Sequence, residues 1–450
     1  MLERIAQLFA PYRDRRMATL LALGFSSGLP APLVFTNLSI WLRDEGVSRT
    51  DIGLFALAAT PYAINFLWAP LVDRMRLPWF TARFGRRRGW TLFTQLLLMV
   101  AILVLAQAQP SLNLFAVAAA VLFVTFVSAT QDVVIDAYRI DVLEPERYGA
   151  GSAAAIWGWH LGGTLVGGAG GLYLAQALGW NTAYFVLAAA VLVGITAILL
   201  APEPAYRPPA DTVERESQFA ARAQRFGRLA GAVTWIHAAA IAPFLEFMRR
   251  EGWLLVLVFI VLFKFGDALL GRMSGVFYRE LGFDLGQIAE VMKIYGFVAN
   301  GIGVLAGGML VARLGMFRAL LVAGALAAAT NLTYSWLAMS GQDPIVFRIA
   351  VVSDNFTAGL ATVAFVSYLS GLCNVAYTAT QYALLASLGN LGRIWLSAAS
   401  GWMVDSLDGD WAVFFALTAG IALLGLPLLV ILMRRYPEAQ VRKTAKDAAG

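Results

Sequence analysis

Long apolar stretches recur along the chain with short polar breaks between them, and their length sets the first constraint on the fold. A helix that crosses a bilayer needs about 20 mostly apolar residues. Twelve stretches satisfy this, at approximately 17–41, 51–72, 89–106, 112–138, 150–175, 182–200, 253–278, 287–311, 317–338, 345–373, 378–404 and 411–433. Several exceed the minimum and are long enough to tilt or to project beyond the hydrocarbon. The pattern predicts an all-α membrane protein of twelve transmembrane helices.

The breaks divide the stretches six and six. Between the sixth and seventh lies 202–250, which opens with Pro202, Pro204, Pro208 and Pro209 and then turns charged and Ala-rich. Such composition predicts a linker with a surface helix. Its last part, 235–248, is amphipathic and too short to span, which predicts a helix lying in the interface. The two sets of six also echo each other. Trp180 and Tyr184 open the sixth stretch as Trp411 and Phe415 open the twelfth, and Arg87 precedes the third as Arg318 precedes the ninth, both at an offset of 231. A duplicated six-helix unit is therefore expected: bundles at 1–201 and 251–435, the linker 202–250 between them, and a tail at 436–450. Glycines crowd the fifth stretch, from Gly149 to Gly171, where small residues let helices approach closely.

Composition agrees. Of the 450 residues 59% are hydrophobic and only 14% charged, against about 25% charged in a soluble domain. Two histidines and one cysteine, Cys373, leave almost nothing for a metal site or a disulfide framework. No metal or cofactor is expected. Residues 1–16 mix charge with apolar side chains and lead to no small-residue cleavage site, so they are expected to lie along the membrane surface. Of the 34 Lys and Arg residues, 26 fall in the two ends, the central linker and the loops sharing their side, whereas the opposite loops carry Arg43, Arg49 and Arg279. Basic loops stay on the cytoplasmic side, which places both termini there. Split among short loops, the arginines read as a topology-setting face and give nucleic-acid binding no support.

An ionisable side chain inside a span is costly unless paired, hydrated or neutralised, so each marks a candidate site. Asp132 and Asp136 share one face of the fourth span at i, i+4, followed by Arg139 and Asp141. Lys264 and Asp267 can pair at i, i+3 in the seventh. His160, Lys293, Asp354 and Arg393 complete the set and should face a central cavity. A carboxylate whose surroundings change between two states can carry a proton, which makes Asp267, Asp132, Asp136 and Asp354 candidates for proton coupling. Candidate substrate contacts are Gln131, His160, Lys264, Lys293, Arg393, Trp157, Tyr295 and Gln381. The plainer alternatives are a structural lock for Asp136, Arg139 and Asp141, and a packing pair for Lys264 with Asp267. No nucleophile elbow, phosphate loop or metal-ligand spacing is visible, so a carrier is expected rather than an enzyme.

Ala69-Pro-Leu-Val-Asp-Arg74 followed by Gly85-Arg-Arg-Arg88 resembles the loop signature of the major facilitator superfamily, with Ala69 in place of its first glycine and an insertion at 75–84. The resemblance implies a cytoplasmic gate involving Asp73, Arg74, Arg86, Arg139 and Asp141, with Asp73 and Arg139 as its latch. More closely, the chain resembles the AmpG family of muropeptide permeases. The matching segments include Gly24-Phe-Ser-Ser-Gly-Leu-Pro30, Phe66-Leu-Trp-Ala-Pro70, Ser128-Ala-Thr-Gln-Asp132, Lys264-Phe-Gly-Asp267 and Ala379-Thr-Gln-Tyr-Ala-Leu-Leu385. This resemblance implies proton-driven import of anhydro-muropeptides across the bacterial inner membrane, for peptidoglycan recycling and β-lactamase induction. The expected partners are the muropeptide, protons and lipid, with the protein a monomer. Two other readings are a carrier of another large anion, such as a coenzyme A ester or a peptide, and a receptor or membrane enzyme on the same scaffold.

Overall fold

The computed structural model describes residues 10–206, 208–397 and 400–435. The tail 436–450 and the side chains of some positions, including Asp267, Lys293 and Arg393, lie outside the described residues. Among the described residues every regular element is helical.

The first half of the chain begins with α1, Arg15–Asp44. Its axis is interrupted near Pro30 and Pro32, since proline removes a backbone donor and crowds the preceding turn. The run 49–74 (α2) is broken by two 3₁₀ turns, Phe55–Ala59 and Asn65–Leu67. α3 is Arg86–Ala106 and α4 is Leu114–Val142. In the run 148–178 (α5) the backbone widens to π geometry over the glycine-rich His160–Gly170. α6 is Trp180–Leu200. The linker forms Ala210–Ala223 (α7) and then Ala230–Ala239 with Ala242–Met248, bent by 45° (together α8).

The second half begins with α9, Trp253–Glu280. The runs 285–314 (α10) and 316–340 (α11) are joined at Gly315, whose φ of 74° turns the chain where a β-carbon would be strained. α12 is Pro344–Leu372, α13 is Thr378–Ser397 and α14 is Trp411–Arg435. Eight helices among the described residues are long and apolar enough to cross a membrane. One of them, Gly296–Ser340, contains parts of two of the expected spans. The stretches expected at 51–72 and 150–175 are helical but interrupted, and the one at 378–404 begins as α13.

α1 and α5 pack backbone to backbone: a β-carbon at Gly158 would run into the carbonyl of Leu21, and one at Gly162 into that of Phe25. The Trp180 and Trp411 match of the sequence recurs as a matching contact. Trp180 donates its indole N–H to Asp44 at 2.8 Å, and Trp411 donates to Glu280 at 2.8 Å, so each pins the end of α1 or α9 to the start of α6 or α14. Residue Tyr12, expected on the membrane surface, instead reaches across to the second half and donates to the Leu305 carbonyl at 2.9 Å.

These contacts give a paired expectation. Gly158→Ala should destabilise the protein by about 1–3 kcal/mol through overpacking, whereas Gly420→Ala on α14, where nothing lies within 4 Å of the added carbon, should be neutral or stabilising by up to about 1 kcal/mol. Thermal unfolding of the detergent-solubilised protein checks both.

Candidate functional site

At the arginine-rich face the two halves are tied by a buried charge cluster. Arg87, in the first turn of α3, donates to Asp73 at 2.9 Å and to Asp141 at 2.7 Å, with all three side chains at most 3% exposed. Asp73 also caps α13: its carboxylate accepts from the backbone of Ala379 at 3.2 Å and of Thr380 at 2.9 Å, and from the Thr380 hydroxyl at 2.8 Å. Those are orphan donors at a helix N-terminus, where a negative charge is stabilised. Thr378 completes the tie by donating to Asp141 at 2.8 Å. Arg86 adds a looser contact to Asp141 at 3.5 Å. Asp73 and Arg139, the residues expected to latch this face, are not paired with each other, and each reaches the second half through its own partners. Arg139 instead bonds Asp136 at 3.0 Å, Ser152 at 2.9 Å and Ser370, on α12, at 3.0 Å.

The linker lies over this cluster. Arg74 pairs with Glu216 of α7, which also accepts from the Tyr377 hydroxyl at 2.6 Å, and the Arg74 guanidinium stands 5.1 Å over the Tyr377 ring. Farther along, Glu246 of α8 holds Arg250 at 2.7 Å and Gln381 at 2.5 Å. Gln381, expected toward substrate, is thus spent on the linker and on the Pro243 carbonyl at 3.0 Å.

Between the halves lies a cavity of about 510 Å³, walled by α5, α10 and α12. His160, Thr164, Asn300, Asn355 and Thr362 supply its polar groups, and Ile156, Met292 and Phe297 part of its apolar lining. Asn300 and His160 line it from opposite halves, and the His160 Nδ1 atom is buried with no hydrogen-bond partner among the described residues. Trp157 donates to the Gly301 carbonyl at 3.0 Å, so it serves as a bridge between α5 and α10.

The intramembrane carboxylates occupy distinct settings. Asp132 accepts from Ser27 on α1 at 2.6 Å and has no ion-pair partner among the described residues. Asp136, one turn nearer the latch, is held by Arg139. Asp354 accepts from Tyr334 at 3.3 Å, and Tyr334 in turn from Tyr278 at 3.1 Å. Gln131 is fully buried and donates to the Ser26 carbonyl at 3.1 Å. The Lys264 ammonium lies 5.0 Å from the centre of the Phe365 ring. Tyr295 carries the Arg348 guanidinium over its ring at 5.7 Å. The side chains of Asp267, Lys293 and Arg393 lie outside the described residues.

Reading the sequence missed Arg87, Thr378, Thr380 and Glu216 in the latch, and Arg348 near the start of α12. Arg348 carried a usable signal, being a charge inside the expected span 345–373. Arg87 is harder to find, because it stands between two other arginines and only the fold turns it inward.

A helical carrier whose halves meet at a charged latch and part around a cavity is a membrane transporter by architecture. A profile of the Major Facilitator Superfamily matches residues 20–397, and the chain belongs to that superfamily. It is 38% identical to the anhydromuropeptide permease of Escherichia coli K12 over 428 residues, covering 95% of this chain and 81% of that one. It is 32% identical to putative transporter AmpG 4 of Rickettsia felis over 424 residues, covering 94% and 97%. Among solved structures, the proton:xylose symporter XylE aligns with a TM-score of 0.62 at 13% identity, over 96% of this chain and 97% of that one, a likeness of fold alone.

Cys373, the one cysteine of the chain, is 2% exposed where α12 ends at the latched face. It therefore reports opening. Asp73→Asn leaves Arg87 partly uncompensated, a loss of about 3–5 kcal/mol for a buried pair, and should speed Cys373 alkylation at least about tenfold. Glu216→Ala, which breaks a more exposed contact worth about 1 kcal/mol, should give a rise of a few-fold. Unchanged alkylation in both variants would refute the latch.

Proposed function

We propose that this protein imports anhydro-muropeptides from periplasm to cytoplasm for peptidoglycan recycling, driven by the proton gradient. The observation that carries the reading is a mid-chain cavity shared by both halves beneath a latch, in a chain closely similar to an anhydromuropeptide permease. In this reading the arginine-rich face and both termini are cytoplasmic, the structure is closed on that side, and a monomer works by rocking bundles 1–201 and 251–435 about the cavity. The amphipathic lining suits a sugar, whose rings offer apolar faces and whose hydroxyl and acetamido groups need neutral hydrogen-bond partners.

Coupling follows from the placement of charge. Asp132 is a carboxylate in a span with no cation beside it among the described residues, held by a single hydroxyl, so protonation relieves its cost there. One turn on, Asp136 holds Arg139, and Arg139 holds Ser370 of the other half. A proton or a cargo group arriving at the Asp132–Asp136 face weakens the hold on Arg139 and so loosens the contact between halves. Asp267 and Asp354 are the candidate carboxylates of the second half.

Labelled anhydro-muropeptide should accumulate in proteoliposomes under an inward proton gradient, and Asp132→Asn should keep cargo exchange while losing the stimulation by the gradient. Coupled uptake intact in Asp132→Asn but lost in Asp267→Asn would move the proton site. No uptake by intact, correctly oriented protein would reject the cargo and favour another large anion.

A further inference from the structure

Arg348 belongs to none of the interactions described so far except its ring contact. It lies four residues into α12, roughly 6 Å along the axis from Pro344 at about 1.5 Å per residue. It is exposed, and no carboxylate among the described residues pairs with it. Asn355 and Thr362, both of which line the cavity, follow it at seven-residue intervals. That spacing returns to the same helical face within about 20° per heptad. Arg348 therefore stands on the cavity-lining stripe, above Asn355, at the rim on the face away from the latch. Tyr295 approaches from α10, between the lining residues Met292 and Phe297, and its ring lies under the guanidinium at 5.7 Å.

A ring face attracts a nearby guanidinium electrostatically without using its N–H donors. Those donors form a fork matched to a carboxylate. We propose that Arg348, oriented by Tyr295, receives a carboxylate of the incoming cargo at the cavity mouth and favours acidic cargo over neutral cargo of the same shape. The inference rests on the muropeptide reading, in which the stem peptide supplies the carboxylate. A lipid headgroup phosphate offers related chemistry, but the stripe that carries Arg348 faces the cavity.

The test compares uptake of anhydro-muropeptide with free peptide carboxylates against the same compound with those carboxylates amidated, in vesicles of zwitterionic lipid and of mixed anionic lipid. Arg348→Gln should raise KM for the free acid about tenfold, the loss expected for one charge-assisted contact, with kcat and the amidated compound unchanged. Arg348→Lys should recover part of the loss, and Tyr295→Ala should shift KM the same way by less. Equal loss for both compounds, or no change for either, would overturn the proposal while leaving the muropeptide reading in place. So would an effect of Arg348→Gln that appears only with anionic lipid, which would assign the arginine to a headgroup. Transport of neither compound by the unaltered protein would bring down the muropeptide reading and this inference together.

Discussion

The carboxylate of Asp73 is the constraint on which the described state depends. One oxygen takes Arg87 and the amide of Ala379, and the other takes the amide and hydroxyl of Thr380. A single group at the end of α2 thus joins the first turn of α3 to the first turn of α13. Two carboxylates, Asp73 and Asp141, face Arg87 and Arg86, so the cluster is near neutrality when buried. Such a cluster adds little net stability, because desolvation offsets attraction, yet removing one member is costly. Those are the properties of a switch, which must be well defined when closed and able to open. The Nη1 atom of Arg87, buried without a partner among the described residues, keeps the closed state from being a deeper trap.

The halves share a scaffold but not a gate. Trp180 and Trp411 perform the same task 231 positions apart, whereas Arg318, at the same offset from Arg87, is exposed. The first half supplies the latch charges; the second answers with a helix N-terminus and the hydroxyls of Thr378, Thr380 and Ser370. One contact joins positions at that same offset: Arg139 and Ser370 are 231 apart and hydrogen-bonded at 3.0 Å. Positions equivalent under a twofold can touch only near the axis. On that offset Arg139 sits close to the line about which the halves are related.

Much of this was legible in the sequence because span length, glycine crowding and charge in apolar stretches are local properties. The long apolar helices and the carboxylates of α4 are recognisable without coordinates. Partner choice is not local. Asp73 was expected in the latch, but its ion-pair partner there is Arg87, which the sequence did not single out for that place. Gln131 and Gln381 illustrate the same limit. Each is polar in an apolar setting, and each satisfies backbone carbonyls of a neighbouring segment. An amide side chain within a span signals a need for partners, and packing alone decides whether backbone or cargo meets it.

The linker enters the same balance. Glu216 of α7 touches Arg74 from the first half and Tyr377 from the second, immediately beside the Asp73 and Thr378 contacts. Glu246 of α8 holds Arg250 and Gln381, and Arg250 reaches the Leu372 carbonyl. The Glu216 set does not survive a separation of α2 from α13, whereas the Glu246 set joins the linker to α12 and α13 alone and travels with them. A covalent tether of 49 residues is long enough to permit almost any opening, so its length sets no limit on the motion. The Arg74–Glu216 pair does, because together with the Tyr377–Glu216 bond it joins the two surfaces that must part.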